Sequence, residues 1–158
     1  VYHSLYKKSF VGIRFFSVYG PWGRPDMFYL KFLKSIRNNK PIKIYNFGNH
    51  HRSFTYIDDA VLNMMKIINK FKNRKKIICD VFNIGNPNSI SLKKFIKVLE
   101  NKYGKIGNKK YTKKQLGDLT TTKSKVRREK KIFGHEINVS LNMGTEKLIK
   151  WYRSYYRW

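Results

Sequence analysis

Arg14-Phe15-Phe16-Ser17-Val18-Tyr19-Gly20-Pro21-Trp22-Gly23-Arg24-Pro25-Asp26 joins the end of an apolar run to a turn built from two glycines and two prolines. The run from Val11 to Val18 reads as a buried strand, and the close spacing of Gly20, Pro21, Gly23 and Pro25 lets neither helix nor strand continue. Arg24 is therefore held on a stiff loop at a strand's carboxyl end. In open α/β sheets that edge is where ligands bind.

The pattern downstream alternates helix and strand. Asp26 is placed to cap a helix whose buried side is Phe28, Leu30, Phe32, Leu33 and Ile36, and Asn38, Asn39 and Pro41 end it. Residues 42–47 read as a short strand, Gly48 to His51 as a polar turn and Arg52 to Tyr56 as a second extended piece. Asp58 or Asp59 then caps a helix with Val61, Met64, Met65 and Ile68 at helical spacing. Val81 to Ile84 is a strand stopped by Gly85-Asn86-Pro87. Ser91 opens a helix with Leu92, Phe95, Ile96 and Leu99 at i, i+3, i+4 and i+7, closed by Gly104. Lys105 to Lys114 reads as an exposed loop, followed by helices near Lys123 to Ile132 and Met143 to Tyr156. The alternation predicts an α/β fold with a small sheet.

At 158 residues, with 41% apolar and 16% aromatic side chains, the chain has material for one domain with a core. A net charge of +26, from 35 basic against 9 acidic residues, would ordinarily raise nucleic acid or an anionic membrane as partner. However, lysines outnumber arginines 26 to 9 and are spread along the chain, and Lys, Asn, Ile, Phe and Tyr make up 78 of the 158 residues. Those five share A/T-rich codons, so compositional drift is favoured over a selected polyanion surface, and nucleic acid is not the expected partner. Cys79, the single cysteine, permits no intramolecular disulfide and reads as a buried small hydrophobe in a reducing compartment. No apolar run approaches the ~18–20 residues of a membrane span, and no signal peptide is visible, so a cytoplasmic location is expected. The first residue is Val1 and not Met, which leads to the expectation that residues 1–158 are the back half of something longer.

No complete G-x-G-x-x-G or G-x-x-x-x-G-K-[ST] fingerprint occurs, and no tyrosine is followed four residues later by lysine. No catalytic residue is therefore assigned within the chain. The histidines His3, His50, His51 and His135 have neither the cysteine neighbours nor the i, i+4 spacing of a metal site, so no metal is expected. Asp58-Asp59 directly precedes an apolar helical repeat, which favours capping over acid–base chemistry. Arg24 and Arg52 stand in turns or short extended segments, where a planar guanidinium fork suits carboxylate or phosphate. Spacing alone leaves an anion site and two solvated arginines equally open.

The run Gly12 to Met27, then Tyr45-Asn46-Phe47-Gly48, Arg52-Ser53-Phe54-Thr55-Tyr56-Ile57-Asp58-Asp59, Phe82-Asn83-Ile84-Gly85-Asn86, Gln115-Leu116-Gly117-Asp118 and Trp151-Tyr152-Arg153 covers almost the whole chain in order. In these segments the chain resembles the carboxyl-terminal half of the extended short-chain dehydrogenase family of NAD-dependent sugar epimerases and dehydratases, in its UDP-glucuronate 4-epimerase (CapI-like) subgroup. The resemblance implies the C-terminal part of a Rossmann-like fold with its small substrate-binding subdomain. The NAD loop and the catalytic tyrosine and lysine would belong to a first half that these residues lack.

By resemblance, Phe16 and Val18 lie against the nicotinamide end of NAD, and Ser17 faces the sugar. Arg24 holds the glucuronate carboxylate, Arg52 the pyrophosphate, Tyr45 the uracil region and Asp118 a ribose hydroxyl. Leu116 stands where the family commonly has proline, which predicts a looser loop around Asp118. The implied reaction removes hydride from sugar C4 and returns it to the opposite face, in surface-polysaccharide synthesis. The implied partners are a UDP-sugar and a missing half or separate chain that supplies the NAD site, and a homodimer is among the assemblies allowed. Alone, the chain is expected to bind weakly, to catalyse nothing and to expose apolar surface at an unpaired sheet edge. The competing readings are a small basic nucleic-acid-binding protein and a decaying gene product without a role.

Overall fold

Strands of two to six residues alternate with helices along the chain, and the strands that pair do so mostly in parallel. The computed structural model describes residues 1–74 and 77–157. In order they form α1 (Tyr2–Tyr6), β1 (Phe10–Phe15), β2 (Val18–Tyr19), α2 (Phe28–Arg37), β3 (Ile42–Ile44), a 3₁₀ turn (Tyr45–Gly48), β4 (His51–Arg52), β5 (Thr55–Tyr56) and α3 (Ile57–Phe71). There follow β6 (Cys79–Ile84), β7 (Ile90–Ser91), α4 (Leu92–Tyr103), β8 (Lys109–Tyr111), β9 (Thr121–Thr122), α5 (Arg127–Phe133) and α6 (Leu141–Tyr155).

β1 pairs in parallel with β6, from Phe10 opposite Cys79 to Phe15 opposite Ile84. β2 pairs with β5 and β3 with β8, both in parallel. β4 lies between antiparallel β7 and parallel β9. This is the α/β class that the alternating pattern predicts.

Two apolar cores result. The larger gathers one face each of α2, α4 and α6 around Tyr19, Tyr56 and Ile44, with Phe32, Leu33, Phe95, Leu99 and Leu148 fully buried. The smaller places Ala60 and Ile67 of α3 against Phe82 and Ile84 of β6. The Ser91 cap forms as predicted, its side chain accepting from the Lys94 amide, and Gly104 ends α4 with φ 79°.

Polar side chains in the interior tie these parts together. Asp59 is buried in the first turn of α3 and accepts from the amides of Asn138 (3.0 Å) and Val139 (3.1 Å). Four residues on, Asn63 donates to the Glu136 carbonyl and accepts from its amide. In the Arg52–Asp59 motif, Ser53 Oγ accepts from the Ser124 amide and Thr55 Oγ1 from the Asn86 amide. Gly85 permits this closeness, because a Cβ there would come within 2.9 Å of side-chain atoms of Ser124 and Phe16.

Several expectations are corrected. The predicted Val11–Val18 strand is two strands broken at Phe16-Ser17, and β1 is not buried, with Phe15 half exposed. Asp26 does not cap α2: Met27 is the cap residue, without a side-chain bond, and Asp26 pairs with Arg24. Neither Asp58 nor Asp59 caps α3, although both lie in its first turn, where acidic groups suit the helix dipole. The predicted apolar side of α3 is largely exposed at Val61, Met65 and Ile68, while Asp59, Ala60, Asn63 and Ile67 are buried. Within Lys105–Lys114, Lys109–Tyr111 forms β8 on the edge of β3. Cys79 is exposed and not buried.

Candidate functional site

Beyond the carboxyl end of β1 the chain breaks at Phe16-Ser17, and two cavities open there that share Val18, Met27 and Tyr29 in their walls. The smaller, about 270 Å³, is lined by Ser17, Tyr45, His50, Arg52 and Asp118. The larger, about 680 Å³, is lined by Phe15, Phe16, Trp22, Arg24 and Met64 among others. Five of the predicted site residues thus meet in the first cavity, and Arg24 and Phe16 lie in its neighbour.

Arg52 is placed by β4 and held by its surroundings. Its Nη1 donates to the carbonyls of His51 (3.0 Å) and Thr120 (3.1 Å), and its Nη2 donates to Asp118 Oδ1 at 3.0 Å. A guanidinium has five N–H donors, so some remain for an anion in the cavity. His50 Nε2 also lies 2.9 Å from Asp118 Oδ2, though without hydrogen-bond geometry. A carboxylate accepts more than two hydrogen bonds, which leaves capacity for a ligand hydroxyl. Leu116 is fully exposed and the loop turns at Gly117 with φ 79°. The Arg52 ion pair therefore holds Asp118 in place of the rigidity expected from a proline.

His50, whose spacing suggests no metal site, also lines the smaller cavity, a placement not predicted from the sequence. It is buried at the end of the turn before β4. Burial pushes its pKa below the ordinary histidine value, Asp118 opposes that shift, and Arg52 and Lys114 add to it. The one signal in the sequence was its position two residues before Arg52.

Ser17 is fixed through its main chain, its carbonyl accepting from the Thr55 amide at 3.0 Å. Tyr45 opens the 3₁₀ turn, where Asn46 and Phe47 take left-handed φ values of 51° and 50°. Arg24 is the most exposed of the set. Its Nη2 donates to Asp26 Oδ2 at 3.2 Å, with the two side chains 76% and 61% accessible. So exposed a pair contributes ~0–1 kcal/mol and exchanges readily for another carboxylate. Its loop is tight: the Gly20 carbonyl accepts from the Tyr29 hydroxyl, and a Cβ on Gly23 would overlap that hydroxyl. Among the described residues no three His, Cys, Asp or Glu side chains come together as a metal site, and no helix is long and apolar enough to cross a membrane.

The turn after parallel β2 carries Arg24, β4 carries Arg52 and the loop before β9 brings Asp118 to it, so the cavities open at the sheet edge where α/β proteins bind ligands. Comparison makes the class particular: residues 1–85 match the model of the NAD dependent epimerase/dehydratase family, and the chain belongs to that family. It is 37% identical to Protein CapI of Staphylococcus aureus, over 99% of this chain and 51% of that protein. It is 34% identical to UDP-glucuronate 4-epimerase 4 of Arabidopsis thaliana, over 98% of this chain and 38% of that one. The UDP-glucuronic acid 4-epimerase of Bacillus cereus, solved with UDP-glucuronic acid and NAD, superposes with a TM-score of 0.87 at 31% identity, over 98% of this chain and 48% of that chain. The resemblance seen in the motifs is borne out, and the fold is part of a Rossmann-like extended short-chain dehydrogenase. The chain spans about half the length of the relatives it matches, or less.

Proposed function

We propose that this chain is the substrate-binding half of a nucleotide-sugar 4-epimerase that takes UDP-glucuronate to its C4 epimer in surface-polysaccharide synthesis. In this reading residues 1–158 form one C-terminal portion, and the dinucleotide loop and the catalytic tyrosine–lysine pair come from sequence outside them or from a separate chain. The observation that carries it is the gathering of Ser17, Tyr45, Arg52 and Asp118 in one cavity, with Arg24 in the cavity that shares its wall. The B. cereus enzyme that this chain resembles over nearly its whole length is described as a complex with the same sugar nucleotide.

Each side chain then has a role that its chemistry suits. Arg52, already oriented by two carbonyls, turns its remaining donors to the pyrophosphate. Asp118, braced by Arg52, accepts from a ribose hydroxyl. Tyr45 flanks the uracil, and Ser17 offers a short hydroxyl to the sugar. Arg24 exchanges Asp26 for the glucuronate carboxylate. Phe16 and Val18 fit the nicotinamide end of the cofactor, since apolar side chains there flank the open carboxyl edge of β1. When bound, NAD supplies the hydride acceptor and donor for inversion at C4.

Isothermal titration of the 158-residue chain tests the reading. UDP-glucuronate is expected to bind weakly, and Arg52→Ala to weaken both UDP-glucuronate and UDP by roughly ten- to a hundredfold, the scale of a hydrogen bond to a charged group. No epimerisation is expected from the chain alone. Turnover by it, or equal UDP affinity in the Arg52 variant, would overturn the assignment.

A further inference from the structure

Trp22 is placed at odds with its chemistry twice over. Its φ of 60° lies in the left-handed region, where glycine is at ease and a large L side chain is not. Its side chain is also largely exposed, at 74%. A strained backbone and an unburied indole at the mouth of a cavity point to a use for that side chain.

The use is visible in what the indole touches. Its ring centroid lies 5.5 Å from Trp151 and 5.1 Å edge-on from Tyr155, both on the last turns of α6. Trp151 and Tyr155 stack on each other at 5.2 Å. Tyr155 then meets Tyr156 at 4.9 Å, and Tyr156 meets the buried Tyr152 at 4.6 Å. A continuous aromatic chain thus runs from the loop tip to the core. Among the described main-chain hydrogen bonds outside helices and strands, Pro21, Trp22 and Gly23 make none. The next tie is from the Met27 amide to the Arg24 carbonyl. Besides the Tyr29 hydroxyl, which bonds the Gly20 carbonyl and packs on Gly23, the indole is the contact that anchors the tip two residues before Arg24.

We propose that Trp22 is a positioning residue for Arg24, and that the aromatic end of α6 is the anchor through which it acts. The proposal rests on reading Arg24 as the group that holds the substrate carboxylate. Recognition of that carboxylate then depends on a helix whose end lies outside the cavity.

The readout is the ratio of affinities for UDP-glucuronate and UDP-glucose, which differ only at C6, carboxylate against hydroxymethyl. Trp22→Ala is expected to lower the ratio roughly tenfold, within the range of a charge-assisted hydrogen bond, with UDP-glucose affinity and thermal midpoint unchanged. Trp22→Phe should restore it. Tyr155→Ala, which alters only the anchor, should lower it in the same direction. Arg24→Ala should abolish the preference, and adding Trp22→Ala to it should change nothing more, since two residues acting through one contact are not additive. Additive losses, or a fall in UDP-glucose affinity in step with UDP-glucuronate, would overturn the staple. An unchanged ratio in Arg24→Ala alone would instead overturn the role given to Arg24.

Discussion

The two cores of this molecule are built to different degrees of closure. Around Phe95 and Leu148, three helices and the strand ends of Tyr19, Ile44 and Tyr56 enclose an apolar interior on every side. The β1–β6 pair is covered on one face only. Along β6, Phe82 and Ile84 are buried under α3, while Cys79 and Val81, which point the other way, are exposed. Along β1, Phe10 opposite Cys79 is exposed on that same face, and among the described residues β6 is the one partner of β1. Parallel strands are normally buried on both faces. The first region is therefore closed on itself, whereas the second leaves the Cys79 and Val81 face of β6 in contact with solvent.

The largest effect that tests this contrast is at Phe95, fully buried and packed on Phe54 at 4.4 Å and Tyr19 at 5.2 Å. Phe95→Ala is expected to destabilise the chain by about 3–5 kcal/mol in urea unfolding. In hydrogen exchange of the unaltered chain, amides of α4 and α6 should exchange only through global unfolding, and those of β1 and β6 through faster local opening. Equal protection in the two regions would break the comparison.

Next in size is the seam between them. Asp59 on α3 receives the amides of Asn138 and Val139 just before α6, so one buried carboxylate fastens the sheet side to the helical side. Asp59→Ala leaves those donors without an acceptor and should cost about 2–3 kcal/mol. Lys147–Asp58 crosses the same seam at 3.1 Å, but both side chains are exposed, and Asp58→Ala should change stability by less than ~1 kcal/mol.

How far the sequence was legible follows the same division. Helices α2 and α4 were readable because the 3.6-residue repeat of Phe28 to Ile36 and of Leu92 to Leu99 reports a face that is in fact buried. The repeat in α3 has the same spacing, but Val61, Met65 and Ile68 face outward, since the sheet that α3 covers is reached by Ala60 and Ile67. Periodicity reveals an apolar side and not what covers it. Asp58-Asp59 was mistaken for a cap because a carboxylate's long-range acceptance from residues 138 and 139 leaves no local mark. Lys109-Lys110-Tyr111 lacks a strand's apolar alternation, and only β3 beside it makes it extended. In the site, the two arginines were visible through their turns and the motif. His50 was not, because a histidine that comes to lie beside an aspartate 68 positions away has no spacing to detect.

Each region also holds one buried histidine, which makes pH a finer probe. Burial lowers the pKa of His50 beside the small cavity and of His135 below α3. For both, the folded chain binds its proton less readily than the unfolded chain. The stability linked to neutral imidazole is therefore fully present above the ordinary value of ~6.5 and is lost as pH falls below it. Urea midpoints should fall between pH 7.5 and 5.5, and His135→Gln should reduce that slope. An unchanged slope would leave His50 as the main source of the acid sensitivity.

The smallest expected effect is also the sharpest test of the bare sheet face. Val81 is exposed at 40%, although it lies in a parallel strand where such a residue is normally enclosed. Val81→Thr keeps the shape and adds a hydroxyl that water can reach. On the chain as it stands it should alter stability by no more than ~0.5 kcal/mol and raise solubility. A buried valine would respond differently, because a hydroxyl without a partner costs about 1–3 kcal/mol. In the proposed function a first half would cover this face, and the same substitution measured with that half bound should then move from neutral to destabilising, whereas an unchanged effect would count against such a cover.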